Sequence, residues 1–435
     1  MNKDMRYITI LIIGISLIGT ISFVNNFDNI DTAFNENVTL GDKAYKKEIY
    51  IDAIEYYGEA SKSNPSNIDV KIKLADSYLK LGNNSQFESI LKNIINSNEE
   101  NETAYLKLAQ YYERNGNFQQ AYKTILDAKG VINSKKINTL FESYKSFYQV
   151  VGAYVEDVTQ WRGGYLPIRK GETWGLMNNT GSIIVDSIYK EIGCFSYEER
   201  VTPVFDGSLW HYIDESGYKK LVGDHVYSYL GNFTSGYAPA CYNDKYGWID
   251  RSFNEYRMEY DYTTPFCNGV AAVKRGEKWA LVNEELKQIT KFKFDEIVLD
   301  ENGFCANTKS IFVKEKGKYY LIGIDGKRIG KLKFDDVRAF NGNQYAAVKK
   351  GDKWGYIDTA GKLAIKYQYE DARSFANGVA GYKDNGVWGV IDQNNDVILE
   401  PMFDDVKTMN SNGILIIKNG EIWQCIQLYA FMNYD

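Results

Sequence analysis

The stretch "AVKKGDKWGYIDTAGKLAI" at Ala347–Ile365 is nearly repeated by "AVKRGEKWALVNEELKQI" at Ala272–Ile289, and the two Trp residues at their centres lie 75 positions apart. Each copy places a Gly-led turn between runs of alternating apolar and polar residues. This pattern predicts a β-hairpin, because Gly adopts a positive φ without strain. Within "KWGYID", Trp354 and Tyr356 share one face of the second strand. The repetition therefore predicts architecture rather than a catalytic motif.

Aromatic anchors continue this repeat from residue 154 to residue 435. The anchors are Trp174, Trp210, Tyr246, Trp279, Tyr319, Trp354, Trp388 and Trp423. Their spacings of 33 to 40 residues define eight units of several short strands, and such units bury their faces only by stacking on one another. We therefore expect 154–435 to form an all-β repeat domain, as a closed β-propeller in preference to an open β-solenoid. Because they are periodic, the eight anchors are predicted to be structural core residues.

Acidic residues recur in these units at two places, in turns and in pairs. The turn acids are Asp214, Asp250, Asp358 and Asp392, and the pairs are Asp295-Glu296, Asp335-Asp336, Glu370-Asp371 and Asp404-Asp405. Asp in a turn commonly binds its own backbone, so we favour turn chemistry over metal ligation for the first set. For the pairs we favour a solvated edge that resists strand-to-strand aggregation, with a calcium or cationic-partner rim as the alternative.

A glycine follows the anchor in half of the units, and we expect it to let another backbone approach. These glycines are Gly175, Gly247, Gly355 and Gly389. The Trp-Gly pairs at 174–175, 354–355 and 388–389, together with "KWGYID", resemble the bacterial WG-repeat family. Four units depart from the motif, with His211, Ala280, Tyr320 and Gln424 after the anchor. The resemblance implies a binding or scaffold module and attaches no enzymatic activity to it.

A different period of 34 residues governs the preceding part of the chain. It relates Gly41, Ala75 and Ala109, and likewise Ala44, Tyr78 and Tyr112. Small residues alternating with aromatics at helical spacing predict closely packed helix pairs, which resemble tetratricopeptide repeats over about 37–130. The stretch "INTLFESYKSFYQVV" at 137–151 is predicted to be a capping helix, so the helical domain covers 37–153. Its stacked helices are expected to hold a protein or peptide partner, with a pure spacer as the alternative.

The N-terminal segment has the features of a membrane-spanning segment. Residues 7–27 contain no charged side chain and are long enough for a helix to cross a bilayer, which predicts a transmembrane signal-anchor. Lys3 and Arg6 precede the segment, so 1–6 is expected in the cytoplasm and the rest outside, after a linker at 28–36. A cleaved signal peptide stays open as an alternative and would make the protein secreted.

Composition argues against several other functions. The 435 residues carry a formal net charge of -6, whereas nucleic-acid binding needs a clustered positive field. The five Cys are scattered and fit neither a zinc cluster nor a disulfide framework. The chain contains two His, His211 and His225, and no G-x-S-x-G, H-E-x-x-H or P-loop motif. We expect no catalytic residue, no metal site and no cofactor.

These features together predict a membrane-anchored, single-pass, extracytoplasmic interaction scaffold of a bacterial cell envelope. A protein or peptide would bind the helical groove and the β-repeat surface, and no nucleic acid is expected as a partner. A carbohydrate or cell-wall-polymer binding module is the alternative, because exposed Tyr and Trp can stack on sugar rings.

Overall fold

The computed structural model describes residues 32–195, 200–221, 224–342, 344–432 and 434. The chain divides into two compact units, Met1–Tyr144 and Lys145–Asp435, which we call the helical unit and the β-unit. The predicted cytoplasmic tail at 1–6 and membrane segment at 7–27 lie outside the described residues. Among the residues that are described, none of the helices has the length and apolar character needed to cross a bilayer.

Seven helices are described in the helical unit. They are α1 (32–46), α2 (Tyr50–Ser63), α3 (Ile68–Lys80), α4 (Asn84–Ser97), α5 (Glu102–Arg114), α6 (Phe118–Val131) and α7 (Lys135–Tyr144). Asn67, Asn83, Asn101 and Asn117 precede α3 to α6, and each accepts a hydrogen bond from the backbone three residues later. Asn is a favoured N-cap because it satisfies one of the free N–H groups of the first turn. The predicted linker at 28–36 is therefore too long, since helix is already present at residue 32.

Small residues bring the paired helices close together. Ala53, Ala60, Ala75, Ala109 and Ala121 are fully buried between neighbouring helices. The tightest case is Gly41, where an added Cβ would lie 2.5 Å from the ring of Tyr57. The 34-residue spacing of small and aromatic residues thus has its cause in helix packing, as the sequence predicted.

The β-unit consists of eight sheets, and its first strand is β1 (Tyr148–Val155). Blade 1 contains β2 (Asp157–Val158), β3 (Tyr165–Lys170), β4 (Thr173–Asn178) and β5 (Ile183–Tyr189). Blade 2 contains β6 (Glu191–Ile192), β7 (Val201–Phe205), β8 (Trp210–Asp214) and β9 (Lys219–Leu221). Blade 3 contains β10 (Tyr229–Leu230), β11 (Ala238–Tyr242), β12 (Lys245–Ile249) and β13 (Glu255–Tyr260). Blade 4 contains β14 (Tyr262–Thr263), β15 (Val270–Arg275) and β16 (Lys278–Asn283).

The second half of the β-unit continues the same pattern. Blade 5 contains β17 (Glu296–Ile297), β18 (Ser310–Glu315), β19 (Lys318–Gly323) and β20 (Arg328–Phe334). Blade 6 contains β21 (Asp336–Val337), β22 (Ala346–Lys350), β23 (Lys353–Ile357) and β24 (Leu363–Tyr369). Blade 7 contains β25 (Asp371–Ala372), β26 (Val379–Asp384), β27 (Val387–Asp392) and β28 (Val397–Phe403). Blade 8 contains β29 (Asp405–Met409), β30 (Ile414–Asn419) and β31 (Ile422–Leu428), and β1 is its fourth strand.

The pairing of β1 with β31 closes the ring. The two strands are antiparallel, with Tyr148 opposite Leu428 and Val151 opposite Cys425. Blades 8 and 1 also share one apolar cluster, in which Ile416 of β30 packs with Ile168 of β3. The fold is therefore an eight-bladed β-propeller in which every sheet has a neighbour on both sides, and the open β-solenoid is not formed.

The closure also corrects the predicted boundary between the two domains. The helical domain was expected to reach residue 153, but α7 ends at Tyr144 and the following segment forms β1. The apolar residues Ile137, Phe141 and Tyr144 have helical spacing, and Tyr148 and Val151 continue it. Local periodicity therefore cannot separate helix from strand here, because the partner strand lies about 280 positions further along the chain.

Candidate functional site

One loop crosses the centre of the ring. Residues 298–309, which we call the channel loop, join β17 to β18 and number twelve, whereas the equivalent loops of blades 1–4, 6 and 7 have six to eight residues. Its side chains and carbonyl groups contact blades on the far side of the ring as well as its neighbours. The 40-residue spacing between Trp279 and Tyr319, the largest in the sequence, has its origin in this insertion.

A buried ion pair fixes the channel loop to blade 1. The Asp300 side chain is 1% exposed and lies 3.2 Å from Nη1 of Arg162. Asp300 Oδ1 accepts from the backbone N–H groups of Asn302 and Phe304, both at 2.9 Å. Asp300 Oδ2 accepts from Nδ2 of Asn307 at 2.7 Å. The Arg162 guanidinium also lies 3.1 Å above the centre of the Phe304 ring, so both charges are held by several partners.

Further bonds reach blades 2 and 8. Nζ of Lys407 donates to Glu301 at 2.7 Å and to the carbonyl of Val158 at 2.7 Å, which joins blade 8, the loop and blade 1. Asn302 lies 3.7 Å from the Cys194 sulfur of blade 2. The channel loop thus ties blade 5 to blades 1, 2 and 8 across the ring.

Asparagine side chains form a second set of contacts around the channel. Asn268 Nδ2 donates to the Ala306 carbonyl of the next blade at 2.7 Å, and Asn377 Nδ2 donates to the Met409 carbonyl of the next blade at 2.7 Å. Asn307 donates to Phe340 at 3.0 Å in the same way. Asn268 and Asn377 each stand in a turn before a glycine, and their amides fasten one blade to the next.

Cations two residues after the start of the first strand in blades 6, 7 and 8 repeat one arrangement. Arg338, Arg373 and Lys407 each lie 5.0 Å from the ring centre of the anchor of their own blade. Arg338 and Arg373 also donate to an acid of the following blade, Asp371 at 2.8 Å and Asp405 at 2.8 Å. The anchors therefore lie beneath the ion pairs that join neighbouring blades.

The acidic pairs, which were predicted to form a solvated edge, take part in this network, and the first acid of each pair is exposed. In two pairs the second acid binds the preceding blade, Asp371 through Arg338 and Asp405 through Arg373. The first acid accepts from the glycine N–H of the next hairpin turn, at 2.9 Å for Glu370 and 2.6 Å for Asp404. Their spacing matches the repeat because each of these units has the same hairpin cap.

The turn acids behave as turn residues. Asp358 Oδ1 accepts from the N–H groups of Ala360 at 3.0 Å and Lys362 at 2.8 Å, and the other turn acids repeat this geometry. The other three are Asp214, Asp250 and Asp392. Within the described ranges, no group of three or more His, Cys, Asp or Glu residues could hold a metal ion.

The structure places the eight anchors in the third strand of each blade, at different depths. Trp210, Tyr319, Trp354, Trp388 and Trp423 are buried, at 4% to 8% exposure, and Trp174, Tyr246 and Trp279 are half-buried. The residue two positions later on the same face is more deeply buried in every blade, at 3% exposure or less. These residues are Leu176, Tyr212, Trp248, Leu281, Leu321, Tyr356, Val390 and Cys425.

Sequence reasoning missed the importance of this deeper position. Where it is aromatic it also donates to a carbonyl of the next blade, as Tyr212 does to Gly231 at 2.9 Å and Trp248 to Thr264 at 3.1 Å. The available signal was the exchange of Tyr and Trp in "KYGWID", which keeps a hydrogen-bond donor at this deeper position.

The glycine that follows the anchor in half of the units lets another backbone approach closely, as the sequence predicted. An added Cβ at Gly355 would lie 2.7 Å from the Ile365 carbonyl oxygen, and one at Gly389 would lie 2.7 Å from the Leu399 carbonyl oxygen. In blade 6 the register shifts between Trp354 and Tyr356, so the fourth strand bulges toward this glycine. A side chain here would push that strand away.

A cavity of about 430 Å³ lies at one end of the channel, beside the channel loop. Its wall draws on blades 1, 5, 6, 7 and 8, and six of its residues carry a carboxamide. They are Gln160, Asn179, Asn307, Asn341, Asn377 and Asn410. The charged residues of this wall are Arg162 and Asp300, which neutralise each other.

Two known repeat families match the chain. The model of the WG containing repeat matches residues 174–210, 212–246, 246–279, 325–354, 354–388 and 388–423. The model of the tetratricopeptide repeat matches residues 47–101. The chain carries tetratricopeptide and WG repeats, in that order. The matched WG ranges pass over 280–324, the stretch that contains the channel loop.

Solved structures resemble each unit distantly. "KlHsv2 with loop 6CD replaced by a Gly-Ser linker" is 10% identical, with a TM-score of 0.36, and the match covers 57% of this chain and 93% of that one. "AfRom2 CNH domain" is 7% identical, with a TM-score of 0.34, covering 65% of this chain and 97% of that one. "Arabidopsis OM64 TPR domain" is 22% identical, with a TM-score of 0.24, covering 27% of this chain and 97% of that one. None of these similarities assigns a function.

Proposed function

We propose that the protein is an interaction scaffold anchored in a bacterial cell membrane, with its repeats outside the cytoplasm and a protein partner bound to the helical unit. The tetratricopeptide and WG repeats support an interaction or scaffold role. The anchoring and the side of the membrane rest on the uncharged run at 7–27 and on Lys3 and Arg6 before it.

A row of cations on the first helices of the repeats carries the proposal of a protein partner. Lys46, Lys80 and Arg114 are spaced by 34 residues, so they occupy equivalent positions in α1, α3 and α5. All three are exposed and form no ion pair with any other described residue. Cations in the last turn favour the helix dipole, and this accounts for the residue type. The helix dipole does not explain why these cations recur every 34 residues. That spacing aligns the three charges along one layer of helices.

Two ion pairs join the neighbouring helices of this layer and leave Lys46, Lys80 and Arg114 out. Asp42 of α1 binds Lys73 of α3 at 2.7 Å, and Asp76 of α3 binds Lys107 of α5 at 2.9 Å. The positive charge that this surface offers a partner is the exposed row formed by Lys46, Lys80 and Arg114. Such a surface suits a partner segment that carries acidic residues, since complementary charge speeds encounter and fixes register.

The test is recovery of the partner from cross-linked envelopes with the full chain and with the Lys80→Glu/Arg114→Glu variant. We expect a defined protein with the wild type and its loss with the variant, at unchanged helicity. Lys62→Glu is the matched control, because it reverses a charge on α2 in an exposed pair that contributes little stability. Equal recovery with both charge-reversal variants would contradict the proposed surface, and co-sedimentation with purified wall polymer alone would favour the alternative function.

The location has a separate test. We expect the chain in the membrane fraction, with residues 37–435 digested when protease is added to cells that lack an outer barrier. Full protection of these residues would contradict the proposed orientation.

A further inference from the structure

We propose that the channel cavity binds a neutral polyhydroxyl ligand, of the size of a mono- or disaccharide. This inference does not depend on the proposed function, because it concerns the β-unit and the partner surface lies on the helical unit. The cavity of about 430 Å³ is within the usual range of small-molecule sites, roughly 300–1,000 Å³.

Unsatisfied polar groups converge on this cavity. Gln160 is 7% exposed and lines both this cavity and a smaller one of about 170 Å³ on the other side of the channel loop. Its carboxamide forms no hydrogen bond with any described residue, although its backbone carbonyl accepts from Asn302 at 3.2 Å. The same holds for Asn179. Its backbone carbonyl accepts from Asn410 and Asn412, while its side-chain carboxamide has no described partner.

Two further wall residues have spare capacity. Nε1 of Trp161 is buried without an acceptor among the described residues. Asn341 Nδ2 lies 3.5 Å from the Ser374 carbonyl, at the limit of a hydrogen bond. Buried polar groups in proteins are nearly always hydrogen-bonded, so the buried Nε1 of Trp161, beside carboxamides that have no described partner, indicates a ligand that completes these groups.

The chemistry of the wall selects the ligand class. A carboxamide offers two donors and an acceptor without charge, and a hydroxyl group offers one donor and two acceptors, so the two match in several orientations. An ionic ligand finds no uncompensated charge, because Arg162 is bound by Asp300 at 3.2 Å. A largely apolar ligand would leave the amides unpaired, which costs free energy.

Saturation-transfer NMR and calorimetry on the full chain test the proposal, in a detergent without a sugar headgroup. The probes are glucose, N-acetylglucosamine and cellobiose, with glucuronate and inorganic phosphate as charged comparisons. We expect saturable binding of at least one neutral saccharide and weaker binding of both anions. Gln160→Leu and Asn179→Ala should each weaken that binding about five- to tenfold, the cost of losing a buried hydrogen-bonding group.

The matched control is Gln424→Leu, which makes the same substitution in blade 8 away from the cavity and should bind like the wild type. Either cavity variant suffices if the other fails to fold, since both remove a carboxamide that has no hydrogen-bond partner among the described residues. Absence of binding by all three saccharides at millimolar concentration would overturn the proposal. Tighter binding of glucuronate or phosphate, or wild-type affinity in a folded cavity variant, would overturn it as well.

Discussion

Replacing Asp300 with Ala should destabilise the propeller more than most single changes, because this carboxylate fixes the channel loop to blade 1. It is 1% exposed and takes hydrogen bonds from two backbone N–H groups, from Asn307 and from Arg162. The variant leaves the Arg162 guanidinium, itself only 23% exposed, without its counter-ion. Removing one partner of a buried ion pair typically costs about 3–5 kcal/mol of unfolding free energy.

Two milder variants separate the charge from the hydrogen bonds. Asp300→Asn keeps an oxygen for the two backbone N–H groups and loses the charge, so we expect a smaller loss of about 1.5–3 kcal/mol. Arg162→Met removes the cation and leaves the acid with three of its four donors. The Asp300→Ala/Arg162→Met double variant should be more stable than the sum of the two single losses predicts, because each single change leaves the other residue without its charged partner.

Urea unfolding followed by Trp fluorescence measures the stability of all five proteins. The account requires a loss of at least about 3 kcal/mol for Asp300→Ala and a coupling free energy of about 1 kcal/mol or more in the double-mutant cycle. Wild-type stability of Asp300→Ala, or additive losses in the cycle, would show that the channel loop does not hold the ring.

Three other predictions follow from local contacts. Trp354→Ala should lower the unfolding free energy by about 3–5 kcal/mol, whereas Glu370→Ala should cost only about 1 kcal/mol through a lost hairpin cap, and equal denaturation midpoints would contradict this order. Gly355→Ala should cost about 1–3 kcal/mol, because its methyl group would lie 2.7 Å from a carbonyl oxygen of the fourth strand; a neutral effect would mean that the bulge adapts freely. Burial raises the pKa of Cys194 and Cys305 to about 12, so both thiols should resist a disulfide reagent at neutral pH until the protein is unfolded, and rapid native labelling of either would refute their burial.

The repeat architecture could be predicted because each unit has the same local requirements of backbone geometry. Gly351 adopts φ +62° in a hairpin turn, and Gly355 faces a carbonyl oxygen, so the residues that mark the units are required by backbone geometry. The anchors were easier to find than the more deeply buried position two residues later, because that position alternates between aromatic and aliphatic residues such as Tyr356 and Val390. Burial of a strand face tolerates either type, and only the volume must fit.

The features that were not predicted depend on residues far apart in the chain. The assignment of β1 needed its partner β31, and the role of Asp300 needed Arg162, 138 residues before it. The acidic pairs were interpreted as a solvated edge that resists strand-to-strand aggregation. In the ring some of these acids also meet a donor from another blade, as Asp405 meets Arg373. The candidate site likewise lies where five blades converge, so no single unit of sequence contains it.

The central claim is that a strand from the N-terminal end of the β-unit completes its last blade, and a pair of cysteines tests it directly. Gln149 of β1 lies opposite Gln427 of β31, and the two side chains are 3.1 Å apart. In the Gln149→Cys/Gln427→Cys variant we predict a near-complete disulfide, identified by mass spectrometry of the linking peptide, since directly opposed strand residues have the Cβ separation that the bond needs. Gln149→Cys/Gln424→Cys, displaced by three residues along β31, should remain reduced. Absence of the first link, or equal formation of both, would contradict a closed ring with this register.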